Sequence, residues 1–132
     1  MKFGLDTSFV IRLLIGEPTD QAETAQEWME RCQQLGVRPK VTDIVIVEAY
    51  FALQTHYEVP KPVAWEALQK LLESGDVEPN GFALEVMRNT PNLAKAKPGF
   101  VDRIIHAEAR SAGAQLLTFE KAAARLSETK VL

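Results

Sequence analysis

The chain has 132 residues, 46% hydrophobic and 25% charged, with 15 Lys and Arg against 18 Asp and Glu for a formal net charge of -3. This length and balance predict one globular domain over residues 1–132 with a sizeable core. They exclude a disordered tail and a protein that coats nucleic acid by bulk positive charge, which needs clustered cations to displace counterions. The single cysteine, Cys32, excludes an internal disulfide framework and a multi-cysteine zinc site and suits a reducing compartment. No stretch approaches membrane-spanning length. Asp6 follows a single lysine with no long apolar run after it, which does not read as a signal peptide. The expectation is a cytoplasmic protein with no membrane partner.

In chain order, Lys2-Phe3-Gly4-Leu5 is a short strand candidate ending at Asp6, and Thr7 or Ser8 can cap a helix from about Phe9 to Leu14, closed by Gly16 and Pro18. Ala22, Ala25, Trp28, Met29, Cys32 and Leu35 recur at threes and fours, so a second helix runs up to Gly36. Val41 marks a second strand, after which Thr42 or Asp43 caps a helix from Ile44 to about His56. Pro60 and Pro62 introduce a helix whose stripe is Val63, Ala64, Ala67, Leu68, Leu71 and Leu72, and Gly75 ends it. A strand at Asp76-Val77-Glu78, a helix from about Gly81 to Arg88 and a loop from Pro91 to Pro98 follow. A helix from Val101 to Ala112, a strand at Gln115 to Phe119, a helix from Lys121 to Leu126 and an edge strand near Val131 complete the chain. Helices alternating with short strands predict an α/β domain with a mainly parallel sheet.

Four acids, Asp6, Glu48, Asp102 and Glu120, stand at the edges of hydrophobic segments. Carboxylates in such places are kept when paired, protonated or neutralised by a cation. If the fold gathers them, they form a divalent metal site. Asp6 and Glu120 follow strands, and ligands of parallel sheets collect beyond the carboxyl ends of the strands. Glu48 falls within the apolar stripe of its helix, beside Ile44, Val45, Phe51 and Ala52, where desolvation penalises an unpaired charge. Each acid also has an ordinary reading. Asp6 suits a turn or cap, Glu120 a surface position, Asp43 an N-cap, and Asp102 the amino end of a helix, where an anion is favoured. His106, four residues after Asp102, reads as a core or rim histidine able to orient that acid. Thr118 is both a good strand residue and a hydroxyl able to hold a metal-bound water. Trp28 and Trp65 fall on helical stripes and read as core or dimer contacts. Arg88, Lys95, Lys97 and Arg103 form a basic rim that suits either a solvated surface or a phosphate backbone.

Four pieces together resemble the PIN-domain family, and within it the VapC-like toxin ribonucleases. They are Leu5-Asp6-Thr7-Ser8, Ile46-Val47-Glu48-Ala49, Phe100-Val101-Asp102 and Leu116-Leu117-Thr118-Phe119-Glu120-Lys121. The resemblance implies a Rossmann-like α/β/α sandwich in which Asp6, Glu48, Asp102 and Glu120 surround Mg2+ or Mn2+, with Thr118 nearby. It also implies a small antitoxin partner and a homodimer. The chain departs from the pattern at Glu120, where the family usually has aspartate. The arm is a methylene longer, and Mg2+ keeps near-ideal octahedral geometry and several waters.

The chemistry expected of such a site is metal-assisted hydrolysis of RNA phosphodiesters, with Arg103 and Lys97 positioning phosphates. The alternative is a catalytically silent PIN-like module binding nucleic acid or a basic protein segment. A receiver-type phosphoacceptor domain fits less well, because no paired acids follow the first strand.

Overall fold

A computed structural model describes residues 2–132. The described elements are α1 (Thr7–Ile15), α2 (Thr19–Leu35), β1 (Lys40–Thr42), α3 (Asp43–Thr55), α4 (Lys61–Glu73), β2 (Glu78–Asn80), α5 (Ala83–Asn89), α6 (Phe100–Ser111), β3 (Leu116–Thr118) and β4 (Thr129–Val131). They fall into two compact units, one ending at Gly81 and the other running from Phe82 to Leu132. Every strand pairing among the described residues is parallel, as the alternation of elements predicts.

In the first unit local chemistry sets the helix ends. Asp6, in extended backbone, accepts from the Phe9 N–H and so caps α1, which is its ordinary sequence reading, while Thr7, the other cap candidate with Ser8, is the first residue of the helix. Gly16 and Gly36 close α1 and α2 in the left-handed conformation and return their N–H groups to Arg12, Cys32 and Gln33 carbonyls. α2 buries Ala25, Met29 and Cys32, which recur at helical spacing, while α4 buries Ala64, Leu68 and Leu72. Trp28 is not core. It is 39% exposed, edge-on to Phe3 with ring centroids 5.8 Å apart, and lies under the Arg31 guanidinium at 4.4 Å. Trp65 is half-buried on α4.

The expected first strand is reduced to one parallel bridge, Gly4 with Lys40, made by Lys40 N–H to the Phe3 carbonyl and Leu5 N–H to the Lys40 carbonyl, both 2.9 Å. β1 pairs in parallel with β2, Lys40 opposite Glu78 and Thr42 opposite Asn80. The β2 strand lies two residues later than its expected place and includes Pro79, which an edge strand tolerates because its missing N–H faces away from the pairing. Val77, just before it, is completely buried, and the Arg38 guanidinium donates to its carbonyl at 2.8 Å.

The second unit packs α5 on α6 and pairs β3 with β4, Leu116 opposite Thr129 and Thr118 opposite Val131. The segment from Lys121 to Arg125, expected as a helix, is a 3₁₀ turn. Ala83, Val86, Met87, Leu93, Phe100, Ile104 and Ala123 are the unit's buried apolar residues. His106 is buried with them, and its Nε2 donates to the Ser127 carbonyl at 2.6 Å, tying α6 to the segment before β4. That bond, rather than Asp102, is what the imidazole serves.

Candidate active site

The first unit places two acids and a glycine beyond the carboxyl ends of three adjacent parallel segments. Asp6 follows the segment bridged at Gly4, Asp43 follows β1, and Gly81 follows β2. This is where parallel sheets hold ligands. Asp6 is exposed, and its Oδ1 accepts from the Phe9 N–H at 2.9 Å and the Ser8 hydroxyl at 2.7 Å. The Phe9 bond above all, then the Ser8 hydroxyl, holds its carboxyl below the ordinary value of 3.8. Partial burial opposes this, and the Arg12 charge adds a smaller lowering. Asp6 is therefore a carboxylate at neutral pH without needing a metal to make it so.

Glu48 reaches the same region from α3. The Thr7 hydroxyl, at the first residue of α1, donates to Glu48 Oε1 at 2.9 Å, linking residues 41 apart in sequence. Glu48 does not lie on the buried stripe that its neighbours predict. Ile46, Ala49, Tyr50 and Leu53 are buried, whereas Glu48 shares the solvent side with Ile44, 68% exposed, and Phe51, 48% exposed. Apolar residues occupy both sides of this helix, so periodicity alone does not say which side is core.

Asp43 is the first residue of α3 and not its cap; Thr42 occupies that place without a side-chain capping bond. A Cβ on Gly81, whose φ is +148°, would collide with the Asp43 carboxylate, so glycine is what lets the end of β2 pass this acid.

Asp102 and Glu120 belong to the second unit. Asp102 is exposed in the first turn of α6, whose N-cap is Gly99. Glu120 is exposed and accepts from the Ala122 N–H at 3.2 Å, capping the 3₁₀ turn that follows. Thr118 Oγ1 accepts from the Glu120 N–H at 3.0 Å. Arg103 is half-buried, with Nε donating to the Pro98 carbonyl at 2.8 Å and Nη2 to the Lys97 carbonyl at 3.4 Å. Arg125 Nη1 donates to that same Lys97 oxygen at 3.3 Å. The Lys97 side chain itself is exposed.

Among the described residues no group of three or more His, Cys, Asp or Glu is arranged to hold a metal ion. The Asp6 and Glu48 pair nevertheless suits a hard divalent cation, because Mg2+ binds through one or two carboxylates and completes its shell with waters and substrate phosphates. The donors are oxygens, and the one whose state is set by its surroundings is ionised.

The PIN domain family model matches residues 4–129, and the chain belongs to that family. PIN domains are α/β folds, generally nucleases, and typically use Mg2+ or Mn2+. No curated protein and no solved structure matches the chain. No helix among the described residues is long and apolar enough to cross a membrane.

Two contacts are not legible in the sequence. Thr7 reads as a cap from its position alone, and only its hydroxyl partner in the fold shows that it holds Glu48. Arg125 was not singled out, since it stands 28 residues from the loop carbonyl it grips.

Proposed function

We propose that this protein is a divalent-metal-dependent endoribonuclease, the toxin of a toxin-antitoxin pair, working in the cytoplasm as a homodimer with a small antitoxin as its partner. In this reading residues 1–132 work as one PIN domain, and Asp6, Glu48, Asp102 and Glu120 are the carboxylates on which the metal depends. The observation that carries it is the ionised, exposed Asp6 beside the Thr7–Glu48 link at the carboxyl ends of parallel strands, in a PIN-family chain.

Bound Mg2+ or Mn2+ would lower the pKa of a coordinated water and polarise the scissile phosphodiester. The chain's own groups prepare for that chemistry. Asp6 offers its carboxylate without having to lose a proton, because Phe9 and Ser8 already stabilise the charge. Thr7 fixes one Glu48 oxygen and so limits the rotamers from which the other can reach a ligand. Asp102 and Glu120 supply further oxygens from exposed positions, and Thr118 holds the backbone on which Glu120 is mounted. Arg103, braced on the 97–98 carbonyls, and Lys97 contact the RNA phosphates.

The capping bond from Ala122 to Glu120 favours a second reading, a silent module whose fourth acid serves the fold alone. Incubating defined RNAs with purified protein and Mg2+ or Mn2+, beside Asp6→Asn, separates the two. Metal-dependent cleavage lost in Asp6→Asn is expected. Equal product from both proteins, or none from either, removes the nuclease reading.

A further inference from the structure

A cavity of about 360 Å³ in the second unit is lined by Lys95, Lys97, Arg103 and Arg125 together with Asn89 and Asn92, and no acidic residue lines it. Among the described residues none of these four cations is ion-paired. In a chain of net charge -3, their convergence places like charges together with no carboxylate in the lining to offset them, and Glu85 enters only the adjoining cavity. The arrangement is braced. Arg103 Nη2 and Arg125 Nη1 both donate to the Lys97 carbonyl oxygen, at 3.4 and 3.3 Å, so two guanidinium groups share one anchor. Bracing the loop uses only part of their capacity, because each guanidinium has five N–H donors in a planar fork suited to phosphate oxygens.

A second cavity, of about 440 Å³, shares Asn89, Thr90 and Arg103 with the first and continues past Phe82 and Arg110. It offers room for a sugar and base attached to a phosphate seated among the cations.

We propose that the basic cavity binds a phosphate group of the RNA, with Lys95 and Arg125 as binding residues beside Lys97 and Arg103. Assigning that phosphate to RNA rests on the nuclease reading; the affinity of the cavity for phosphate does not. The phosphate comes either from a strand terminus, as a monoester, or from within the strand, as a diester.

The test uses the full chain carrying Asp6→Asn, so that binding is read without cleavage. Inorganic phosphate should raise the melting temperature above that in chloride of equal ionic strength, and Lys95→Ala with Arg125→Ala should remove the rise. Affinity for an oligoribonucleotide, followed by fluorescence anisotropy, should fall about tenfold in the same double variant. Tighter binding of 5′- or 3′-phosphorylated RNA than of its unphosphorylated form identifies the terminal monoester, and equal binding identifies the internal diester. Arg125→Lys, which keeps the charge, should retain most of the phosphate response, and this separates loss of the site from loss of fold. A double variant that is folded by circular dichroism and binds phosphate as well as its parent overturns the site. One that loses phosphate but binds RNA unchanged overturns the assignment of that phosphate to RNA.

Discussion

The unit ending at Gly81 links two acids through neighbouring side chains and backbone, and the unit beginning at Phe82 links two guanidinium groups through one loop carbonyl. In the first, the acids are tied into the frame: Asp6 caps α1 and Glu48 is held by Thr7. In the second, Arg103 and Arg125 donate to backbone carbonyls, Glu120 caps its own 3₁₀ turn, and Asp102 is exposed in the first turn of α6. The difference teaches that a braced pair of acids and a braced pair of cations arise from different stretches of the chain; on the proposed nuclease reading the first suits a metal ion and the second a phosphate.

The sharpest way to break this comparison is to untie Glu48. Thr7→Val should lower metal-dependent cleavage by about ten- to a hundredfold, as loss of a group that orients a metal ligand does. Thr7→Ser, which keeps the hydroxyl, should restore most of it. On the other side, Glu120→Asp keeps the carboxylate and supplies the residue usual at this place, so it should alter cleavage by less than about threefold. Initial rates at saturating Mg2+ decide both, and equal losses in Thr7→Val and Glu120→Asp would erase the contrast between the units.

A smaller effect is expected at Gly81. Gly81→Ala would bring a methyl group against the Asp43 carboxylate at a backbone angle that side chains avoid. It should destabilise the protein by about 1–3 kcal/mol, measured by urea unfolding. No change would mean that Asp43 can turn aside freely.

The smallest effect is confined to alkaline solution. Burial raises the Tyr50 phenol above its ordinary 10.0, so the unfolded chain releases that proton first as pH rises. Stability from this group is complete below about pH 10 and declines above it. Tyr50→Phe should flatten the decline above about pH 10 in thermal melts. An identical slope in both proteins would locate the alkaline sensitivity elsewhere. Asp6 works in the reverse direction. Its lowered pKa contributes stability above the ordinary carboxylate range, and that contribution is lost as pH falls through the folded value.

Local chemistry made much of the fold readable. Gly16 and Gly36 stop helices, Pro60 and Pro62 mark the entry to α4, and the spacing of Ala64, Leu68 and Leu72 names its buried face. The positions of Asp6 past a bridged segment and of Asp102 in the first turn of α6 were legible for the same reason: strand ends and helix starts are written in a few adjacent residues. Glu48 was legible as a candidate but not in its setting, because α3 is apolar on both sides.

By itself, then, the sequence determined the alternation of helices and strands, their parallel pairing, and which acids stand at element ends, because caps, turns and periodicity act over a few residues. Tertiary structure alone decided that Glu48 faces solvent and meets Thr7, that His106 serves Ser127, and that Arg125 joins Arg103 on the Lys97 carbonyl. Those contacts join residues 41, 21 and 28 positions apart, and they depend on how packed elements bring distant segments together, which no short run of residues encodes.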